Sequence, residues 1–270
     1  MINNDAIRFI PQGEKLADPN EPKYRSLRKW NLAMGILDVI QGIIMLVLTN
    51  EFTVPIYTNY LKAGSLPPSD NFNVLFNLPM GPAIACFLFI SAAAHLSVST
   101  FGYKWYVSKI STGINPARWY EYAISSSLMI VIIAALSGFL ELGGLLLLVA
   151  ANAAMNLFGL MMELQNQTTK KTDWTAFIFG SIVGAIPWVV VIMYFVGAVS
   201  QNSNGVPTFV YAAIGMLLLF WCVFPINMIL QYRKKGRWAN YLFGEKVYVL
   251  LSLFSKSILA WIIFFGIQAM

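Results

Sequence analysis

Seven runs of about twenty apolar residues divide this chain, and they restrict its fold more than any other feature. A helix of that length crosses a bilayer and satisfies its own backbone hydrogen bonds. The composition is 58% hydrophobic and only 11% charged, against about 25% charged in soluble domains, so much of the surface must face lipid. The pattern predicts an all-α membrane protein, a bundle of seven transmembrane helices. We place the spans at 29–49, 80–102, 115–137, 142–163, 174–199, 207–230 and 243–268.

Lysine and arginine residues flank these runs unevenly. All but two of the 18 lie before the first run or beside alternate connections, and the exceptions are Lys62 and Lys256. Because basic flanks are retained in the cytoplasm, we expect a cytoplasmic N-terminus and an extracellular C-terminus. Residues 1–27 then form a cytoplasmic segment, 28–270 form the membrane domain, and 50–79 form an extracellular loop that reads as a hairpin.

Several classes of function are disfavoured by composition. The net charge of +6 is explained by the cytoplasmic flanks, so we expect no nucleic-acid partner. A single histidine argues against a histidine-rich metal site, and Cys86 and Cys222 lie in apolar runs, which favours buried hydrophobic side chains over a disulfide or zinc ligands. No nucleophile–base pair or phosphate-binding loop is visible, so we expect no enzyme, no catalytic residue and no metal. Residues 1–27 lack an apolar core before a cleavage site, so we expect no removable signal peptide.

Lys256 is the most informative charge in the chain. It lies about 12 residues from either end of the last run, or roughly 18 Å along a helix, which is too far for its side chain to reach the headgroups. A charged lysine at that depth costs at least about 2.5–3.5 kcal/mol. The amine is therefore neutral, half of a buried ion pair, or part of a covalent bond. A tolerated structural ion pair is the plainest alternative.

Few carboxylates can accompany this amine. Asp38 and Glu121 lie clearly within spans, whereas four others fall at span ends: Glu141, Glu163, Asp173 and Glu245. Arg118 precedes Glu121 by three residues, and Ser125 follows it by four, so all three share one face of the third helix. We expect Arg118 to orient or compensate Glu121.

Polar residues gather in the cytoplasmic half of the predicted bundle. Ser91 and His95 lie one turn apart in the second span, and with Asp38 and Glu121 they give that half a polar interior. A lone histidine is more often a satisfied interior residue than a catalyst. After Ser127 the third span reads "LMIVIIAAL", so the outer half is predicted to be apolar.

Large aromatic residues mark the fifth and sixth spans. Trp188 follows Pro187, and Trp221 and Phe224 precede Pro225. Aromatic stripes are usually core, but prolines beside them interrupt backbone hydrogen bonds and leave room for an elongated apolar ligand.

Four motifs then occur in order: "RWYEYAISSS", "NLFGLMME", "FPINMILQY" and "SLFSKS". Seven spans with a lysine in the last and Arg-x-x-carboxylate opening the third is the arrangement of microbial-type retinal proteins. With the inverted orientation, the chain resembles the heliorhodopsins over about residues 28–270. The resemblance implies a rhodopsin-like bundle that forms a homodimer in the bilayer. It also implies all-trans-retinal joined to Lys256 as a protonated Schiff base, with Glu121 as counterion.

The resemblance implies the rest of the site as well. Ser252 stands where pumping relatives carry a second carboxylate, which leaves Glu121 as the sole close anion, so its removal should shift absorption into the near ultraviolet. Asp38 replaces a histidine that the family typically has in the first span, whereas His95 matches the second family histidine. The implied Schiff-base environment is Ser252, Ser125, Arg118, Ser91, His95 and Asp38. The implied retinal pocket is Tyr122, Met129, Asn152, Met155, Gly159, Pro187, Trp188, Trp221 and Phe224.

Three functions are compatible with these observations. A light sensor without net ion transport is favoured, because Ile132 stands eleven residues after Glu121, where outward pumps keep a carboxylate donor. Such a sensor needs a cytoplasmic signalling partner, which the sequence does not identify. The alternative is a light-driven proton transporter or channel, which Asp38 and His95 support as titratable residues in the bundle. An ion-coupled secondary transporter using Lys256 and Glu121 is the third, although such folds usually contain repeats and none is visible.

Overall fold

A computed structural model describes residues 17–60, 72–202 and 205–269 of the chain. Within those ranges it contains eight α-helices and one two-stranded sheet, and seven of the helices are long and apolar enough to cross a membrane. This confirms the predicted seven-helix membrane bundle. The elements are α1 (Pro22–Leu48), β1 (Thr53–Asn59), β2 (Phe72–Pro79), α2 (Met80–Ser99), the short α3 (Tyr103–Ile110), α4 (Pro116–Leu136), α5 (Leu142–Gln165), α6 (Thr175–Gln201), α7 (Thr208–Tyr232), a 3-10 turn (Gly236–Ala239) and α8 (Tyr241–Gln268).

Side-chain caps define where several of these helices begin. The Asn115 side chain accepts a hydrogen bond from the backbone of Arg118 at the start of α4, where Pro116 occupies the first turn. The carboxylate of Glu141 caps α5 in the same way, and Asn240 caps α8. These residues satisfy backbone donors that the first helical turn leaves free.

The first two spans differ from their predicted bounds. Helix α1 begins at Pro22 rather than at residue 29, so the end of the predicted polar segment 1–27 is helical. Burial explains the extension, because Tyr24 and Leu27 pack against α3 in one apolar cluster. The second span ends at Ser99, and α3 follows as a separate helix. Residues 1–16 lie outside the described ranges.

The segment 50–79 contains the hairpin that the sequence suggested. Strands β1 and β2 pair antiparallel from Thr53 opposite Pro79 to Asn59 opposite Phe72. Residues 61–71 lie outside the described ranges. The Tyr57 backbone N–H donates to the carbonyl of Leu140 at 3.1 Å, which joins the hairpin to the turn between α4 and α5. Its extracellular position stays a prediction.

Long-range hydrogen bonds show which helix ends lie together. The Asn50 side chain donates to the carbonyl of Ile267 at 2.9 Å, so the end of α8 lies beside the hairpin, at what we call the hairpin end. At the opposite end, the side chain of Asn115 donates to Glu245 and its backbone to Glu163, which joins the start of α4 to the end of α5 and the start of α8. We call this the basic end, because most lysines and arginines flank it.

The interior changes character between these two ends. Toward the hairpin end it is an apolar core, which includes Ile84, Phe87, Leu88, Met129, Ile132, Ile133, Leu259 and Ile263. Toward the basic end, charged side chains are buried. The predicted division into a polar and an apolar half is therefore present in the fold.

An apolar run does not show which of its residues face lipid and which face the core of the bundle. Cys86 and Cys222 are free and exposed on the bundle surface, so the interpretation as buried side chains was wrong. In a membrane helix, lipid-facing and core-facing positions are both apolar, and composition does not separate them. Gly180 and Gly184 lie against Phe158 and Met155 of α5, which is a contact within the chain.

Candidate functional site

The amine of Lys256 lies between three helices at the middle of the bundle. Lys256 is 3% exposed, its Nζ forms an ion pair with the carboxylate of Glu121 on α4, and it donates to Ser91 Oγ on α2 at 2.9 Å. It also lies 5.4 Å from the centre of the Tyr122 ring. The amine at this depth therefore has a carboxylate partner, as a buried cation requires.

Arg118 does not accompany Glu121, contrary to the prediction. Its guanidinium instead forms ion pairs with Glu163 on α5 and Glu245 on α8, all of them buried. Glu163 also accepts hydrogen bonds from the backbone of Asn115 at 2.7 Å and from Trp119 Nε1 at 2.8 Å. The result is a charged cluster at the basic end, which we call the Arg118 cluster.

The prediction failed because spacing on one helix says which residues share a face, but not where a long side chain points. The sequence did mark Glu163 and Glu245 as carboxylates at span ends. A buried arginine needs such partners, since an unpaired charge in the interior is costly. The need of a buried arginine for carboxylate partners could therefore have pointed to Glu163 and Glu245.

A cavity of about 180 Å³ opens beside Lys256 and is walled by α4 to α8. Eight of the nine predicted pocket residues line it: Tyr122, Met129, Asn152, Met155, Gly159, Trp188, Trp221 and Phe224. Pro187 does not line the cavity, although it is buried within α6. Trp119, Phe177, Phe220 and Tyr248 add aromatic walls that the sequence reasoning did not select.

A family model described as Heliorhodopsin matches residues 27–268. The chain belongs to the heliorhodopsin family. It is therefore a retinal-binding photoreceptor of the rhodopsin type and a multi-pass membrane protein. The family consists of light-sensing retinal proteins rather than classical enzymes. No curated protein sequence matches the chain.

The residues around the cavity of this heliorhodopsin fit retinal. A long apolar group with one reactive carbonyl needs an amine at one end and aromatic walls along its length, and Lys256 lines the cavity beside such walls. The Trp188 and Trp221 ring centres are 5.9 Å apart, and those of Tyr122 and Phe224 are 5.3 Å apart.

Hydroxyl and amide groups also line this cavity. Asn152 donates to Ser126 Oγ at 2.7 Å, and Ser126 was not selected from the sequence. Ser125 lines the cavity, and its Oγ has no hydrogen-bond partner among the described residues. The same holds for Ser252 Oγ, which is buried on α8 one turn before Lys256 but does not line the cavity.

Asp38 and His95 lie close to the Lys256–Glu121 ion pair. Asp38 is fully buried and lies within electrostatic range of both members of the pair, so a second carboxyl group accompanies Glu121 near the amine. His95 Nδ1 is 2.7 Å from Asn31 Oδ1, a partner on α1 that the sequence reasoning missed. The Nε2 atom of His95 has no partner within the described ranges.

A second, smaller cavity lies beside His95 and Glu121, toward the basic end. Its volume is about 30 Å³, and its lining includes His95, Asn31, Glu121, Arg118 and Glu245. Polar groups therefore connect the Lys256 site with the Arg118 cluster. On the hairpin side of Lys256 the described core is mainly apolar, and its polar groups include Gln41, which donates to Ser257 Oγ at 3.0 Å and accepts from Trp261 Nε1 at 2.9 Å.

Proposed function

We propose that this heliorhodopsin is a light sensor that moves no net ions. In this proposal Lys256 carries all-trans-retinal as a protonated Schiff base, and Glu121 is its counterion. The ion pair of Lys256 with Glu121, beside a cavity with aromatic walls, supports both assignments. A buried cation is stable only beside an anion, and Glu121 supplies that charge.

The one-sided interior is the observation that carries the sensor assignment. Ile132 is fully buried and Ile133 nearly so, in an apolar core between the Lys256 site and the hairpin end. A proton crossing the membrane would have to pass this core, where an isolated charge is very costly. Among the described residues the further buried ion pairs, those of Arg118, lie toward the basic end, so a proton that leaves the Lys256 nitrogen returns from the same side.

Retinal, when bound, supplies visible absorption and light-driven isomerisation. The chain supplies the rest. Glu121 holds the proton on the Lys256 nitrogen in the dark, Ser91 accepts a hydrogen bond from that nitrogen, and the aromatic side chains exclude water from the cavity. Glu121 is also the nearest base for the proton once the nitrogen becomes more acidic.

The proposed orientation places the basic end in the cytoplasm. Arg233, Lys234, Lys235 and Arg237 lie at the connection between α7 and α8, and they support this assignment. The hairpin is then extracellular. We expect a homodimer, and a cytoplasmic signalling partner that contacts the segment 1–27 or the connection 231–240.

Absorption spectra test the chromophore assignment. Purified protein with all-trans-retinal should acquire a visible band, Lys256→Ala should lack it, and Lys246→Ala on the same helix should keep it. Glu121→Gln should lose its visible band at lower pH than wild type, because the anion beside the cation is gone. A Glu121→Gln spectrum that matches wild type in position and pH stability contradicts the counterion assignment.

Photocurrent recordings separate the sensor from the second candidate, a light-driven proton transporter or channel. The polar cluster of Asp38 and His95 near Lys256 favours that candidate. The sensor proposal predicts no sustained current and no lasting pH change in illuminated cells. A steady light-dependent proton current refutes it. If retinal gives no visible band at all, an ion-coupled transporter becomes the better explanation.

A further inference from the structure

Asp38 is a buried acid to which the proposed function gives no role. It is 0% exposed in α1, and neither carboxylate oxygen has a hydrogen-bond partner among the residues that the structure describes. An ionised carboxylate in that position would be desolvated without a hydrogen bond to either oxygen, which proteins avoid. The desolvation cost of a neutral carboxylic acid is much smaller.

The surroundings of Asp38 connect it to Lys256 through one hydroxyl. Ser91 lies beside Asp38, and its Oγ accepts the hydrogen bond from Lys256 Nζ at 2.9 Å. The charged groups within electrostatic range of Asp38 are Lys256 on α8 and Glu121 on α4. His95, one turn from Ser91 on α2, is the remaining titratable group of this cluster.

The charges of this cluster decide which carboxylate is ionised. One cation, at Lys256, faces two carboxylates, and Glu121 is in direct contact with it. Two carboxylates that share a site do not both ionise readily. Glu121 therefore holds the negative charge, and Asp38 holds a proton.

We propose that Asp38 is the reserve acid of the Lys256 site, which returns a proton to the Lys256 nitrogen through Ser91 when Glu121 is neutral. The O–H bond of Asp38 breaks and its proton passes to Ser91 Oγ. Ser91 gives its own hydroxyl proton to the nitrogen, where an N–H bond forms. Asp38 is left as the anion beside a cation, and it regains a proton from Glu121 when the dark state is restored.

This inference rests on the proposed function, because it requires a nitrogen that loses and regains a proton. It goes beyond that function by placing the proton return inside the bundle. The cycle needs no donor on the hairpin side, which agrees with the apolar core there.

Four variants with retinal test the proposal. Glu121→Gln should keep part of its visible band at neutral pH, because Asp38 becomes the anion, and Asp38→Asn/Glu121→Gln should absorb only in the near ultraviolet. In the wild-type background, Asp38→Asn and Ser91→Ala should each slow the recovery of the dark band after a flash, by about a hundredfold for Asp38→Asn. Asp173→Asn, at the protein surface, is the matched control and should recover normally.

Infrared spectra of the retinal-free protein give an independent readout. The C=O stretch of a protonated carboxyl group should be present in the wild type and absent in Asp38→Asn, which should fold because asparagine resembles the neutral acid in shape. An unchanged stretch, or identical spectra of Glu121→Gln and the double variant, overturns the role of Asp38. If the wild type forms no visible band, the proposed function fails instead.

Discussion

Replacing Arg118 by methionine tests whether the Arg118 cluster stabilises the basic end of the bundle. Arg118 is 7% exposed and pairs with two carboxylates, Glu163 and Glu245, that are each 1% exposed. Its guanidinium also lies 3.8 Å from the centre of the Tyr248 ring. Methionine retains much of the side-chain length but leaves both carboxylates without a cation.

The expected loss of stability follows from burial. Removing one partner of a buried pair costs about 3–5 kcal/mol, because the remaining charge is uncompensated. Here two carboxylates lose the same partner, so we expect a loss at or above the upper part of that range. At about 2–4 °C per kcal/mol, the midpoint of thermal unfolding should fall by roughly 10–20 °C.

The assay is thermal unfolding of the purified variants in one detergent, without retinal, so that chromophore binding does not add stability. The decisive comparison is the triple variant Arg118→Met/Glu163→Gln/Glu245→Gln. It removes every charge of the cluster, and neutral replacement of a buried ion network is often tolerated. The triple variant should therefore be more stable than Arg118→Met alone. Arg233→Met, at an exposed arginine of the same end, is the control and should change stability by less than about 0.5 kcal/mol.

Two results would refute this reasoning. If Arg118→Met unfolds within a few degrees of the wild type, the cluster does not carry the energy assigned to it. If the triple variant is less stable than Arg118→Met, the loss comes from packing or hydrogen bonds rather than from unpaired charge.

Two further predictions concern smaller features. Gly159→Ala should lower the unfolding midpoint more than Gly184→Ala in the same assay, because a methyl group at 159 meets the rigid Trp119 ring whereas one at 184 meets the flexible side chain of Met155. The hydrogen bond from Thr175 lowers the pKa of the Asp173 carboxyl in the α5–α6 connection, so Asp173 stabilises the fold above about pH 4 and less as the pH falls through the depressed pKa. The midpoint of Asp173→Asn should therefore depend less on pH in this acid range than that of the wild type.

The sequence predicted the membrane fold well because its signals are local. Length and hydropathy within one run identify a span, and the seven spans were all recovered as helices. The errors at α1 and α2 arose where tertiary packing extends or ends a helix, as at Tyr24 and Leu27, which are buried against α3. Single-run patterns contain no information about such contacts.

The site was predicted less completely, for a related reason. Lys256 and Glu121 were found because ionisable residues are rare within spans, and their direct contact agrees with that reasoning. The pocket residues came from the family resemblance, and the structure places all but Pro187 around the cavity. The partners of Arg118 and the proximity of Asp38 to Lys256 depend on helix rotation and packing, which no spacing rule fixes.

Helix α4 connects the two charged regions of the interior. It carries Glu121 in the Lys256 site and, three residues earlier, Arg118 in the cluster that joins α4 to α5 and α8. Both residues line the small cavity and are buried, so their charges interact in a low-dielectric interior that screens them weakly. Neutralising Glu121 would remove a negative charge near Arg118 and change the balance among its partners. Because this cluster lies at the basic end, a proton movement at Lys256 has a direct electrostatic route to the surface that we assign to the cytoplasm, whereas the apolar half contains no buried ion pair among its described residues.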